Sequence, residues 1–331
     1  MADKKILITG ANGFIGNRLM QHYKSQGIPV MGVDLRGNGD DIVEGDISNP
    51  ENIGHLLADC EAIVHTAALV SNAMKDTDMW RVNVLATANL IAAAEQHRVK
   101  RFVQISSIVA YGNSAEGELD ENHPVHADGG SYVLTKLASE HVVLAAQARG
   151  SIEVVIIRPG DVYGPGSRPW LIVPLENIAK KQFLLPAKGE GYFRPIYIDD
   201  LIRGIVLAVA SPAAAGEIFN LSCEGYVTTK EYFSHHFHWL GKKGPLLLST
   251  RAALIIAAVG SQIADWMGQL NEASPATILQ LSTKNWFSIK KAERILGWRP
   301  EVPFAEGMQR SKLWAEEQGP VEEIIETDNS D

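Results

Sequence analysis

The sequence predicts an α/β protein, a doubly wound parallel sheet with a smaller, mainly helical domain attached. Three observations carry this. Short apolar runs rich in β-branched residues alternate with segments of helical period as far as Arg158. The first run, Ile6 to Ile8, leads directly into glycines at every third position, Gly10, Gly13 and Gly16. After Pro159 the rhythm changes to a loop-like GDVYGPGSRPW and then to mostly helical segments.

The first strand ends at Thr9 and Gly10, and a helix begins at about Phe14, with Ile15, Leu19, Met20 and Tyr23 at helical spacing. Gly10 allows a tight strand-to-helix turn. Gly13 lets a phosphate approach the backbone, and Gly16 lets helix and strand pack closely. The free N–H groups and dipole of the first helical turn favour a pyrophosphate there. Pro29 to Asp34 reads as the second strand. Asp34 falls where a dinucleotide fold places a carboxylate on the adenosine ribose, which favours NAD over NADP. Arg36, just beyond, is suited to a 2′-phosphate and keeps NADP as the alternative.

Ile42 to Ile47 and Ala62 to Ala68 read as the third and fourth strands, with a helix from Pro50 to Ala58 between them. Asp78 to Val99 reads as one long packed helix, Arg101 to Ser107 as the fifth strand, Ser131 to Arg149 as a helix and Glu153 to Arg158 as the sixth strand. Ligands bind beyond the carboxyl ends of such strands, where the glycine turn, Asp34, His65 to Ala68 and Ser106–Ser107 all fall. Arg194 to Leu207 reads as a strand turning into a helix, and Glu217 to Ser222 as one more strand. The expected division is a Rossmann-type dinucleotide-binding domain, 1–158 plus 196–223, a substrate domain, 159–195 plus 224–319, and an acidic tail, 320–331.

With 331 residues, 46% hydrophobic and 21% charged, the chain can bury a sizeable core. A net charge of −9 argues against a general nucleic-acid binder. Cys60 and Cys223 form no spacing motif and read as reduced thiols. The N-terminus lacks a signal-peptide pattern and no apolar run is long enough to span a bilayer, so a cytoplasmic protein is expected.

Tyr132 and Lys136 are four apart on a helical stretch and share a face. A phenol with a pKa of about 10 is too weak an acid to serve as a base at neutral pH. A neighbouring ammonium, with the positive nicotinamide of an oxidised coenzyme, is expected to lower it. Each unit represents about 1.4 kcal/mol. Tyr132 then exchanges a proton with a substrate oxygen while the nicotinamide exchanges a hydride. Ser107, at the end of the fifth strand, is placed to hold that oxygen.

The set TGANGFIG (Thr9–Gly16), Asp34, GDI (Gly45–Ile47), VHTAA (Val64–Ala68), Asn83, SSIVAYG (Ser106–Gly112), YVLTK (Tyr132–Lys136) and RPGDVYGPG (Arg158–Gly166) resembles the extended branch of the short-chain dehydrogenase/reductase superfamily. The resemblance covers nearly the whole chain. It implies that Ser107, Tyr132 and Lys136 are catalytic, Tyr132 and Lys136 also touching the coenzyme. It implies a pyrophosphate turn at Gly10, Gly13 and Gly16, a ribose carboxylate at Asp34 and an adenine site at Asp46 and Ile47. Ala67 and Ala68 match backbone contacts under the coenzyme, Asn83 a support for the catalytic strand, and Pro159 with Val162 a wall beside the nicotinamide. Asn12, Phe14, Ile15, Leu35, Arg36, Thr66, Ile105, Ser106 and Gly160 complete the implied cofactor-binding set, with NAD as the cofactor. The branch also implies a homodimer through Asp78–Val99 and Ser131–Arg149.

That branch includes nucleotide-sugar epimerases and dehydratases, and enzymes of the 3β-hydroxysteroid dehydrogenase kind that act on apolar alcohols and ketones. The first group usually carries a Tyr-Phe-Asn string that binds a diphosphate. This chain has Ile157-Arg158-Pro159-Gly160-Asp161 instead. Their later arginine aligns with Phe193, one place from Arg194. Leu246 to Met267 is rich in large apolar residues and suits a lid over a greasy pocket, a membrane-surface contact or an ordinary buried helix. The expectation is therefore an NAD(P)-dependent oxidoreductase acting on an apolar small molecule, with a nucleotide-sugar epimerase or dehydratase as the alternative. His235, His236 and His238 lack partners at ligand spacing, so no metal is expected, and Glu118, Asp120 and Glu121 read as a solvated loop.

Overall fold

Lys5–Thr9 forms β1 at the middle of the sheet. Leu7 and Ile8 are buried, as a parallel strand covered on both faces requires. The structure, a computed structural model, describes residues 5–71, 74–267 and 273–319. The acidic tail expected at 320–331 lies outside the described residues.

The other main strands are β2 (Val30–Asp34), β3 (Ile42–Glu44), β4 (Cys60–His65), β5 (Arg101–Ile105), β6 (Glu153–Pro159) and β7 (Ile218–Leu221). They form one seven-stranded parallel sheet in the order β7-β6-β5-β4-β1-β2-β3. The strand order reverses between β1 and β4, and this is where a doubly wound sheet opens a crevice. The expected α/β class and alternation are what the fold shows.

Several boundaries differ from the periodicity, each with a local cause. β3 stops at Glu44 because Gly45 donates its N–H to Asp34 O at 2.8 Å and Asp46 Oδ1 turns back to accept from Ser48 N. The expected single helix over 78–99 is an α-helix at Asp76–Trp80, a π-helical turn at Arg81–Ala86 and an α-helix at Thr87–Gln96. Within the wide turn, Thr87 Oγ1 donates to Asn83 O at 2.8 Å, and the Asn83 amide is directed at the loop after β4. Such one-turn π-bulges commonly re-aim a side chain.

Past β6, Asp161–Tyr163 pairs in parallel with Pro195–Tyr197, outside the main sheet. α1 (Phe14–Ser25) follows the glycine turn, α2 (Ser131–Arg149) has the bounds its periodicity predicts, and α3 (Ile198–Ala210) packs against α1 and the sheet. Asp200 at the start of α3 accepts from Glu301 N and Val302 N at 2.9 and 3.0 Å, while Trp298 Nε1 donates to Asp200 O. That clasp seats the C-terminal segment on the core. α4 (Thr250–Met267) packs on α5 (Pro275–Gln280) through Ala253, Ala257 and Ile278. Leu254 joins that contact, but most of its large side chains are exposed, so it is not an ordinary buried helix.

One buried pair fixes α2 to the sheet. Arg158 at the end of β6 donates from Nε and Nη2 to Glu140 of α2, at 2.9 and 2.6 Å. Their side chains are 4% and 2% exposed. Ser106 Oγ, just past β5, donates to the same carboxylate. Removing one partner of a buried pair leaves the other charge uncompensated. Glu140→Ala is therefore expected to lower the free energy of unfolding by about 3–5 kcal/mol in urea denaturation, more than Glu140→Gln does.

Candidate active site

Gly10 ends β1 at φ +68° and so carries the turn that no β-branched residue would accept. A Cβ there would sit 2.8 Å from the Ala67 backbone, and one on Gly16 would sit 2.1 Å from Gly10 O. These contacts bring the β1 and β4 loops and α1 together. α1 has Gly13 as its N-cap, with no side-chain cap and no acidic residue in its first turn. An uncapped helix start presents N–H groups and positive potential to the crevice, which fits a pyrophosphate. Asn12 is exposed, and Phe14 and Ile15 are half-buried at the rim.

Asp34 sits at the end of β2 with its carboxylate aimed by two backbone donors, Asn12 N to Oδ2 at 2.9 Å and Leu35 N to Oδ1 at 2.8 Å. Asn12 Nδ2 donates to Arg36 O at 2.8 Å, closing the loop over the β1 turn. Leu35 and Arg36 are exposed beside it. Asp46 is exposed, and hydrogen bonds from the Ser48 hydroxyl and then its N–H hold it below the usual carboxylate range. Ile47 next to it is buried. Thr66 Oγ1 donates to Thr9 O at 2.6 Å, and Ala67 N donates to Thr9 Oγ1 at 3.4 Å, while Ala68 lies half-buried on the same loop.

The Asn83 amide is fully committed. Its Oδ1 accepts from Leu69 N at 2.8 Å, and its Nδ2 donates to Leu69 O at 3.0 Å and Thr135 Oγ1 at 3.1 Å. Rather than supporting the fifth strand, it pins the loop after β4 to α2. Thr135 in turn donates to Tyr132 O at 3.1 Å.

Ser107, Tyr132 and Lys136 meet where β5 ends against α2. Ile105 and Ser106 are buried, and Ser106 N donates to Ile157 O at 2.8 Å, so the strand end is fixed to β6. Ser107 caps the short helix Ile108–Tyr111 by accepting from Val109 N at 3.3 Å, and it also hydrogen-bonds the Tyr132 phenol. Lys136 Nζ lies 5.9 Å from the Tyr132 ring centre and donates to Ile105 O at 3.0 Å. Burial pulls Lys136 down to about 8, opposed by the charge of Glu140 one turn along the helix.

The expected lowering of the phenol joins the ammonium to an oxidised nicotinamide, and the protein alone acts in the other direction. Tyr132 is pushed up to about 12, first by burial, with the Ser107 hydrogen bond opposing and the charge of Asp161 adding. Lys136 is not among the causes acting on the phenol, as its Nζ, 5.9 Å from the ring centre, is directed at Ile105 O. Beneath the trio, His65 bridges Thr9 Oγ1 and Thr87 Oγ1 at 2.7 and 2.9 Å, and burial followed by the charge of Lys136 pulls it down to about 3. It is a neutral strut.

Pro159 and Gly160 are buried at the end of β6, and Gly160 N donates to Leu221 O at 2.8 Å. Val162 is half-buried. Asp161, between them, forms a buried pair with Arg194. Arg194 N donates to Asp161 Oδ2 at 2.9 Å and its Nε lies 3.3 Å from the same oxygen. Arg194 Nη1 donates to Tyr192 O and Thr283 Oγ1 at 2.7 and 2.9 Å. Burial raises Asp161 despite the arginine. Phe193 is buried against Tyr232, with ring centres 3.8 Å apart.

Glu140, Arg158, Asp161 and His65 were not read as site residues from the sequence. Only Glu140 carried a local signal, repeating the Tyr132–Lys136 interval one turn on. Glu118 and Asp120 are exposed, whereas Glu121 is half-buried and accepts from Asn220 N at 2.8 Å, so it is not part of a solvated loop. His236 is enclosed, with Nε2 against Trp170 O, and among the described residues no cluster of His, Cys, Asp and Glu is grouped to hold a metal.

A sequence profile of the NAD dependent epimerase/dehydratase family matches residues 6–222. The chain is similar to a 2-alkyl-3-oxoalkanoate reductase of Stenotrophomonas maltophilia, 26% identical over 93% of this chain and 98% of the relative. It is 31% identical to a dTDP-glucose 4,6-dehydratase of Streptomyces niveus, over 66% of this chain and 72% of that one. The solved structure of MoeE5 in complex with UDP-glucose and NAD shares the fold, with a TM-score of 0.77 and 24% identity over 95% of this chain and 99% of that one. The chain is an NAD-dependent oxidoreductase that belongs to the NAD-dependent epimerase/dehydratase family, in the extended branch of the short-chain dehydrogenase/reductase superfamily.

Proposed function

We propose that the protein interconverts a secondary alcohol and a ketone on an apolar substrate, in the manner of the hydroxysteroid dehydrogenases. The observation that carries this reading is the Asp161–Arg194 pair. A diphosphate needs a cation or neutral donors facing the cleft. Here a carboxylate stands in the string where the epimerases have asparagine, and the nearby arginine is 4% exposed and directed at protein acceptors. Neither group is disposed to take a nucleotide sugar. The similarity to an oxoalkanoate reductase supports a carbonyl on an alkyl chain.

In this reading the glycine turn and the start of α1 hold the pyrophosphate, Asp34 takes the adenosine ribose hydroxyls, and Ala67 and Ala68 underlie the coenzyme. Bound NAD supplies a hydride acceptor and a positive charge at its nicotinamide. Ser107 holds the substrate oxygen beside Tyr132. Tyr132 takes the hydroxyl proton during oxidation and returns it during reduction. Lys136 supplies positive potential behind the phenol and donors for the nicotinamide ribose. Segments 159–195 and 224–319 shape the substrate side. A second reading, a nucleotide-sugar dehydratase, draws on the 31% identity to the Streptomyces niveus enzyme.

Tyr132→Phe should cut turnover by at least 100-fold while NADH binding, read by fluorescence, stays within about twofold. A rate near that of the wild type removes the assignment. Thermal shifts with NADH present should follow 3-oxo acids or keto-steroids and not UDP- or dTDP-glucose; the reverse pattern favours the dehydratase reading. Asp34→Ala should lower kcat/KM for NADH by roughly 10-fold or more, the loss of a charge-assisted pair of hydrogen bonds, and leave that for NADPH equal or higher.

A further inference from the structure

α4 carries an apolar face that no described part of the protein covers. Ile255, Val259, Ile263 and Trp266 are 66, 52, 54 and 87% exposed, and Ile256 and Met267 are exposed beside them. At 3.6 residues per turn these six positions fall within an arc of about 120°. The opposite face, through Ala253 and Ala257, is the one packed on α5. Leu254 joins the alanines on the packed face, while the six other large apolar side chains named here point outward, more than a helix serving only a core would expose. Leu246 and Leu247, just before the helix, extend the exposed apolar surface.

At the Leu246 end of this face basic side chains outnumber acidic ones, Glu190 being exposed there and Asp265 lying on the helix itself, in a chain whose net charge is −9. Lys181, Lys242 and Lys243 ring a hollow floored by Phe183, Phe237 and Leu246. Lys188 is exposed where its N–H meets Leu248 O, and Arg251 is exposed one turn before Ile255. Among the described residues no helix is long and apolar enough to cross a membrane. An amphipathic helix with Trp and Ile on one face and basic residues alongside suits the plane of a bilayer interface. A two-fold contact with a second copy would set the same basic clusters near each other, which is unfavourable.

We propose that α4 seats the protein on an anionic lipid surface, with Val259, Ile263 and Trp266 among the acyl chains and the lysine cluster at the headgroups. Ala276 at the start of α5 lies against Gly130, the N-cap of α2. One short helix, α5, therefore separates the docked helix from the element that carries Tyr132. Passage of an apolar substrate from lipid to cleft follows if the function proposed above holds, whereas the docking does not depend on it.

The test is co-sedimentation of the full chain, without substrate, with phosphatidylcholine vesicles and with vesicles containing about one third phosphatidylserine. Each basic side chain near an anionic surface contributes about fivefold. Binding to the anionic vesicles should thus exceed binding to the neutral ones at least tenfold and fall in high salt. Val259→Glu/Ile263→Glu, whose sites are more than half exposed, should unfold at an unchanged temperature and lose at least tenfold in binding. Lys242→Glu/Lys243→Glu should lose as much on anionic vesicles only. No binding by the wild type, equal binding to both vesicle types, or undiminished binding by Val259→Glu/Ile263→Glu would overturn the proposal. So would a solution mass twice that of Val259→Glu/Ile263→Glu, because a second copy would then cover the face.

Discussion

A buried ammonium and a half-buried phenol on one helix face, at the end of one strand, constrain everything packed around them. The fold gives Lys136 a carbonyl in place of water and sets the Ser107 hydroxyl beside the Tyr132 phenol. Burial still dominates, since it pulls the ammonium down and pushes the phenol up. Both shifts oppose a phenolate at neutral pH. A positively charged coenzyme is the remaining source of field for the chemistry we propose, so Lys136 acts less by acidifying Tyr132 alone than by completing a site that an oxidised nicotinamide must finish.

The surrounding polar residues hold this geometry without adding charge to the cleft. His65, kept neutral by burial, ties β1 and β4 to the π-helical turn. Asn83 fastens the following loop to α2, and Glu140 with Arg158 fastens α2 to the sheet one turn beyond Lys136. Glu140 has a second effect, because its carboxylate opposes the downward pull of burial on the Lys136 ammonium. Stability and electrostatic tuning thus share one residue. Asp161 and Arg194 form a buried pair beyond β6, and it is on this pair that the apolar substrate we propose rests.

Much of this was legible in the sequence because local physics wrote it there. β-branched runs gave the strands, and the glycine interval gave the turn beside them. The i, i+4 spacing put Tyr132 and Lys136 on one face, and the periodicity of Ser131–Arg149 gave both ends of that helix. The π-helical turn was not legible, because its cause is the amide of Asn83 reaching a loop that precedes it in the chain. Long-range pairs such as Glu140–Arg158 and Asp161–Arg194 leave no periodic trace. The outward face of α4 was equally hidden, since hydropathy records that residues are apolar and not which way they point. Burial at the phenol was hidden for a related reason, as spacing shows proximity but not how much water is lost.

The most direct measurement is the ultraviolet tyrosinate titration of wild type minus Tyr132→Phe, with and without saturating NAD⁺. The account predicts that Tyr132 ionises near 12 in the free protein and moves down by at least about two units when NAD⁺ is bound, because the fixed positive charge favours the phenolate. A phenol that already titrates near neutrality without coenzyme, or one whose titration NAD⁺ leaves in place, would contradict it.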